Sequence, residues 1–186
     1  MTPLLDALRA RVPDALGGTA GSLDDLFPVG AGEVTMRMRA EPERVWDLVS
    51  DVTRIGEFSP ETFEAEWLGG ATGPAVGARF RGHVERNQRG PTYWTECVVT
   101  DCEPQRRFGF DVVLGDRTIN HWQYDLAPVD GGAVTEVTES FRLADHPATR
   151  AYWALLGRWR SGTNERGMTA TLEAIRAVVE AEAVTG

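Results

Sequence analysis

The chain has 186 residues, 42% of them hydrophobic, and a formal net charge of −9. This length and composition predict one domain with a single core, and the negative charge disfavours nucleic acid and anionic membrane surfaces as partners. All 19 basic residues are arginines, which excludes a lysine Schiff base or a lysine general base.

Residues 1–31 differ in composition from the rest of the chain. Apolar residues from Leu4 to Leu16 can form one face of a short helix, although Pro13 interrupts it, and a glycine-rich stretch follows. We interpret residues 1–31 as an N-terminal arm that either packs on the domain or on a second subunit, or is disordered. Residues 32–186 are then the domain, as a monomer or a homodimer.

The sequence lacks the patterns typical of a secretory signal or a membrane span. It has no basic segment followed by an apolar core near its start, and no run of eighteen apolar residues. We therefore expect no secretory signal, no membrane span and a cytoplasmic location.

The first predicted strand is Glu33–Ala40, where apolar and polar residues alternate strictly. Pro42 then suits the first turn of a short helix. Asp51 can cap a second short helix, Val52–Phe58, before Pro60 ends it. The order to this point is one strand followed by two short helices.

Six further segments alternate in the same way and are separated by short turns rich in glycine and proline. The predicted strands are Thr62–Leu68, Gly77–Arg86, Thr92–Asp101, Arg106–Leu114, Thr118–Ala127 and Ala133–Leu143. Consecutive strands joined by short turns predict an antiparallel meander. A seven-stranded sheet of this kind must twist and curl.

The C-terminal stretch, from Pro147 to about Ala183, has apolar or small residues at steps of three and four. It predicts one long helix as the cover of the sheet. Gly157 and Gly162 weaken its first half, Pro147 to about Gly162, because glycine lowers helix stability. We therefore predict that this half gates any space beneath it.

Several segments together resemble a known family. They are PERVWDLVSDVTRIGEFSPE, GARFRGHVERN, CVVTDCEPQRRFGF, HWQYDLAPVDGGAVTEVTESFRL and NERGMTATLEAIRAVVE. Over about Glu33 to Val184 the chain resembles the START/Bet v 1-like (SRPBCC) superfamily, in its polyketide cyclase/dehydrase-like branch. The resemblance implies an α+β helix-grip fold, in which a curved antiparallel sheet grips a long C-terminal helix around a deep apolar cavity. Members bind lipids, sterols, polyketides or plant hormones, and some are cyclases, dehydratases or aromatases.

Residues that face the helix can be predicted from the alternation of each strand. The predicted ligand-binding residues are Phe80, Val84, Thr95, Cys97, Phe108, Phe110, Trp122, Phe141, Trp153, Asn164 and Met168. Many rings on one concave face suit a flat hydrophobic ligand. The alternative is that these side chains simply fill a core.

Three residues are candidates for acid–base chemistry. Glu139 has the inward parity of its strand, and a buried carboxyl group without a partner has a raised pKa. Tyr93 and Tyr124 can present hydroxyl groups to a carbonyl. The alternatives are that Glu139 pairs with an arginine or lies in solvent, and that the tyrosines belong to the core.

Metal and redox chemistry are not predicted. His83 and His121 have the outward parity, and the two cysteines, Cys97 and Cys102, form no zinc-binding spacing. Their opposite parity predicts that they lie on different faces of one strand and form no disulfide. We expect no metal and no other cofactor.

Three functions remain open. The leading hypothesis is a protein that binds a small hydrophobic or aromatic, polyketide- or lipid-like, molecule between sheet and helix. The alternative is a cofactor-independent polyketide cyclase, aromatase or dehydratase that uses the cavity carboxyl and phenol groups. The third is a structural or regulatory protein whose core is filled.

Overall fold

The structure is a computed structural model, and it describes residues 30–85, 90–145 and 164–182. In chain order the elements are β1 (Ala31–Met38), α1 (Pro42–Ser50), a 3₁₀ helix (Val52–Glu57), β2 (Thr62–Leu68), β3 (Arg79–Val84), β4 (Tyr93–Glu103), β5 (Arg107–Leu114), β6 (Arg117–Val129), β7 (Val134–Leu143) and α2 (helical residues 164–182). The strands form one antiparallel sheet in the order β1-β7-β6-β5-β4-β3-β2. This curved sheet and its helices confirm the predicted α+β helix-grip fold.

The meander from β2 to β7 closes on the first strand. β1 pairs with β7 along its whole length, with Val34 opposite Glu139. The chain therefore returns to its own start, and β1 and β2 are the two edges of the sheet. Pairing with β1 fixes the register of β7, because a shift of one residue would turn every side chain of β7 to the other face.

α1 begins at Pro42, whose fixed φ and missing N–H suit the first turn of a helix. It packs across β5, β6 and β7, and the ring of Trp46 meets that of Phe108 edge to face at 6.2 Å between centroids. Asp51 then caps the 3₁₀ helix by accepting hydrogen bonds from the backbone N–H of Thr53, at 3.0 Å, and from its hydroxyl, at 2.7 Å.

α2 packs on the inner face of the sheet through one apolar stripe. Leu172, Ile175 and Val179 are fully buried, at the 3–4 spacing that the sequence predicts for one helical face. Glu182, in the last turn, forms an ion pair with Arg54 of the 3₁₀ helix at 2.8 Å. The predicted gate, Pro147–Gly162, and the predicted arm, except its last two residues, lie outside the described residues.

Strand boundaries agree closely with the predicted ones. β2 has the predicted bounds, and each of the other six strands overlaps its predicted segment. β3 begins at Arg79 rather than Gly77, because Gly77 adopts a positive φ of 84° in the turn before the strand.

The prediction for the two cysteines is wrong in one respect. Both lie on β4 as free thiols, but they share the inner face of the sheet. Cys97 pairs with Val112 and Cys102 with Phe108, and a bulge between Val99 and Asp101 separates the two pairs. The extra residue of a bulge reverses the alternation beyond it, so counting by twos fails there.

Candidate functional site

A half-enclosed cavity of about 210 Å³ lies between the sheet and α2. The strands supply its walls, α2 supplies Asn164, Gly167, Met168 and Thr171, and the segment after the 3₁₀ helix supplies one rim. The helix therefore covers the concave face of the sheet without filling all the space beneath it. No helix in the described segments is long and apolar enough to cross a membrane.

Most of the predicted site residues line this cavity. From the sheet they are Phe80, Val84, Thr95, Cys97, Phe110 and Trp122. From α2 they are Asn164 and Met168, and all three acid–base candidates, Tyr93, Tyr124 and Glu139, line it as well. Alternation predicted the sheet residues of this set, because residues of one parity share one face of the sheet, and helical spacing predicted those of α2.

Three predicted ligand-binding residues are not among the described lining. Phe108 is buried under α1, against Trp46. Phe141 is buried and packs against Trp122, with ring centroids 4.7 Å apart, so it supports the cavity wall from the side. Trp153 lies outside the described residues. Parity identifies the face of a strand, but it does not tell which part of that face the helices leave open.

Glu139 is the most unusual lining residue. It lies on β7 directly opposite Tyr124 of β6, and only 3% of its surface is exposed. The Tyr124 hydroxyl donates a hydrogen bond to Glu139 Oε1 at 3.1 Å, and Oε2 is buried without a partner. A carboxyl group with one satisfied and one free oxygen is therefore held inside the cavity.

Burial decides the charge of this pair. Desolvation raises the pKa of Glu139 to about 8, and the hydrogen bond from Tyr124 opposes this only in part. Burial and the nearby carboxyl group raise the pKa of Tyr124 well above its usual value. Near pH 7 most Glu139 side chains are thus neutral, and their free oxygen can carry a proton.

Asn120 is a lining residue that sequence reasoning missed. It shares the inward alternation of Trp122 and Tyr124 on β6, and its Oδ1 is buried without a partner. The alternation of β6 does predict this position, because Asn120, Trp122 and Tyr124 follow one another at steps of two residues and so share one face of the sheet.

The rim that contains Ser59, Pro60 and Glu61 was also missed, together with Ile55 of the 3₁₀ helix. These residues follow no strand alternation, so nothing local in the sequence places them at a cavity. They reach it because β2 and the 3₁₀ helix pack together.

Charged residues are scarce among the described lining residues. Glu61 and Glu139 are the acidic residues among the described lining, and that lining contains no arginine, lysine or histidine. Burial raises the pKa of the Cys97 thiol to about 12, so this thiol stays protonated and is not a nucleophile near neutral pH.

His83 and His121 face away from the cavity, as their parity predicts. His83 Nδ1 lies 2.7 Å from a carboxylate oxygen of Glu64 on the outer face of the sheet. His121 Nδ1 lies 2.9 Å from a carboxylate oxygen of Asp111 on the same face. The acid–base groups at the cavity are therefore carboxyl, phenol and thiol groups among the described residues.

A family model described as polyketide cyclase/dehydrase and lipid transport matches residues 31–180. The chain belongs to this family. The match confirms the resemblance inferred from the sequence, and it spans every described element from β1 through most of α2. The family description suggests ligand binding or cyclase activity. Comparison with curated protein sequences gave no match.

Solved structures from other bacteria are similar to this chain. A START superfamily protein from Mycobacterium smegmatis is 16% identical, covers 81% of this chain and 97% of its own, and has a TM-score of 0.64. Protein NE0264 from Nitrosomonas europaea is 12% identical. The match covers 83% of this chain and 96% of that protein, with a TM-score of 0.60. A polyketide cyclase-like protein from Corynebacterium glutamicum is 30% identical. The match covers 82% of this chain and 88% of that protein, with a TM-score of 0.47. The first two similarities concern the fold alone.

Proposed function

We propose that the protein binds a small hydrophobic or aromatic molecule in the cavity between the sheet and α2. The observation that carries the proposal is the cavity itself, whose aromatic walls surround a few polar groups. Binding sites for small molecules commonly have this composition. The family description, which includes lipid transport, supports the same function.

The cavity volume limits the size of the ligand. Drug-sized ligands occupy pockets of roughly 300 Å³ or more, whereas an apolar cavity of roughly 150 Å³ binds benzene. The volume here, about 210 Å³, therefore suits a compound of one or two rings. It also disfavours a core filled by its own side chains, which would leave few voids larger than a water molecule.

Two measurements test this proposal. Native mass spectrometry of the purified protein should detect a co-purified small molecule that is lost on denaturation. Isothermal titration calorimetry with tetralin, an uncharged two-ring hydrocarbon, should show saturable binding.

A matched pair of variants locates the binding. Val112 lines the cavity, and its neighbour Val113 points to the other face of β5. Val112→Phe should weaken tetralin binding at least tenfold by filling the space, whereas Val113→Phe should leave it unchanged. No bound molecule and no binding of tetralin to the unaltered protein would contradict the proposal, as would equal effects of the two variants.

The second candidate is an acid–base catalyst of the cyclase or dehydratase type. The specific observation in its favour is the free Oε2 of Glu139 beside the Tyr124 hydroxyl. In its neutral form Glu139 can donate a proton to a carbonyl oxygen, and in its ionised form it can take one from carbon. Aldol cyclisation begins with removal of such a proton next to a carbonyl group.

Proton exchange tests this candidate directly. 1-Tetralone in D₂O should lose its C2–H signals in proton NMR faster with the protein than with buffer alone. The exchange should accelerate as the pH approaches the pKa of Glu139, about 8, because the ionised form is the base. Glu139→Gln should abolish the acceleration while still binding 1-tetralone. Exchange at the buffer rate with the unaltered protein would favour binding without catalysis.

A further inference from the structure

Two buried oxygen atoms in the cavity lack hydrogen-bond partners. They are Oε2 of Glu139 and Oδ1 of Asn120. Buried polar atoms in native proteins almost always have a partner, so each atom that lacks one needs an explanation. Both residues belong to the lining, and a bound molecule can supply the missing partners.

The residues that carry the two atoms lie on either side of Trp122 along the inner face of the sheet. Asn120, Trp122 and Tyr124 are successive inward residues of β6, and Glu139 lies opposite Tyr124. Four residues of strand span about 13 Å between Cα atoms, and side chains pointing into the cavity shorten the gap between their polar ends. Trp122 lies between them and is held by Phe141. A flat molecule over Trp122 can therefore reach both oxygen atoms.

We propose that the cavity selects an uncharged one- or two-ring compound that accepts a hydrogen bond from Glu139 and donates one to Asn120, and that it rejects carboxylates. This inference rests on the proposed binding function and specifies the class of ligand. Ketones that also carry a hydroxyl group have the required acceptor and donor.

The direction of each hydrogen bond follows from the neighbours. Tyr124 already donates to Oε1 of Glu139, so the proton of the neutral carboxyl group on Oε2 is available to the ligand. An amide oxygen such as Oδ1 of Asn120 can only accept. A ligand with an acceptor at one end and a donor at the other would therefore satisfy both oxygen atoms.

Rejection of carboxylates follows from the absence of positive charge among the described lining residues. The described lining contains no arginine, lysine or histidine, and a buried anion without a cation or several donors is strongly disfavoured.

Four compounds with one carbon skeleton test the selection. They are tetralin, 1-tetralone, 6-hydroxy-1-tetralone and 5,6,7,8-tetrahydro-2-naphthoate, titrated calorimetrically near pH 6. A net hydrogen bond changes affinity by about fivefold, so 1-tetralone should bind about fivefold more tightly than tetralin. The hydroxyl group should add a similar factor, and the carboxylate should bind at least tenfold more weakly than tetralin.

Variants assign each preference to its residue. Glu139→Leu should remove the preference for 1-tetralone over tetralin, and Asn120→Leu should remove only the gain from the hydroxyl group. Glu139→Gln keeps an N–H donor toward the ligand and an oxygen for Tyr124, so it should preserve the ketone preference. This isosteric variant keeps the test valid if the leucine variant does not fold.

The pH provides a further readout. 1-Tetralone does not ionise, so its affinity should fall above about pH 8 as Glu139 loses its proton, and Glu139→Gln should not show this fall. The other titratable residues among the described lining are Glu61, Tyr93, Cys97 and Tyr124, and the lining residues of α2 have no titratable group.

The outcomes separate this inference from the proposed function. Equal affinity for tetralin and 1-tetralone, or tighter binding of the carboxylate, would overturn the inference while leaving the binding function in place. Failure of every uncharged compound to bind would overturn both.

Discussion

Tyr124 and Glu139 face each other across β6 and β7, and the phenol donates to the carboxyl group at 3.1 Å in a fully buried pair. Their positions are set by strand register, because each is the direct cross-strand partner of the other. Burial keeps both groups mostly protonated near pH 7. This pair is the chemical centre of the cavity, and the first two predictions concern it.

Glu139→Gln should change how stability depends on pH. The pKa of Glu139 is about 8 in the folded chain against a usual 4.5, so between these values the folded state binds more protons than the unfolded state. The free energy of unfolding therefore falls as the pH rises through this window. Glutamine does not ionise, so the variant should gain on the order of 4 kcal/mol relative to the unaltered protein between about pH 5 and pH 9.

Urea denaturation at several pH values measures this gain. Glu136→Gln is the matched control, since it removes a more exposed carboxylate from the same strand, where Glu136 pairs with Arg37 at 3.0 Å. A constant difference between Glu139→Gln and the unaltered protein at all pH values would show that Glu139 is not buried as the structure has it.

Tyr124→Phe should raise the pKa of Glu139 further, because the hydrogen bond from Tyr124 is the interaction that lowers it. Near pH 6 the variant should also lose about 1–3 kcal/mol of stability, since Oε1 then has no donor in a buried site. Infrared titration of the carboxyl C=O band reports the pKa, and Tyr93→Phe, at the partly exposed cavity rim, should leave it unchanged. A lowered pKa in Tyr124→Phe would contradict the geometry.

Leu172→Ala should lower the free energy of unfolding by about 2–5 kcal/mol, because Leu172 is fully buried where α2 packs on the sheet. Glu173→Ala, one residue further and exposed on the same helix, should change it by less than about 0.5 kcal/mol. Thermal or urea unfolding distinguishes the two. Similar losses would mean that α2 does not use the stripe assigned to it.

Gly56→Ala should destabilise the protein by about 1–3 kcal/mol or more. A Cβ at this position in the 3₁₀ helix would overlap the backbone carbonyl oxygen of Phe63 in β2, and backbone cannot move aside as a flexible side chain can. Gly73→Ala is the control, because a Cβ there meets nothing within 4 Å. Thermal unfolding of both variants is the measurement, and equal stability would place the 3₁₀ helix farther from β2.

Some features of the fold and of the cavity could be predicted from local sequence patterns. Alternation along each strand is a local property that does not depend on strand pairing. It therefore predicted that Trp122, Tyr124 and Glu139 face the inside of the sheet. The 3–4 spacing of Leu172, Ile175 and Val179 likewise predicted the buried stripe of α2.

Other features depend on contacts between distant segments and could not be predicted locally. The bulge after Val99 moves Cys102 to the inner face, and only the pairing of β4 with β5 produces it. The hydrogen bond between Tyr124 and Glu139 depends on the register of β6 against β7. The cavity volume depends on how far α2 lies from the sheet.

The sequence by itself therefore determined the order of the elements, the family and, except beyond the bulge in β4, which face of each strand is buried. Tertiary structure decided which buried residues border empty space, why Phe108 is packed away, and why Asn120 and Glu139 keep unpaired oxygens. The physical reason is that periodicity acts between neighbours in the chain, whereas register, bulges and cavities arise from packing between residues far apart in sequence.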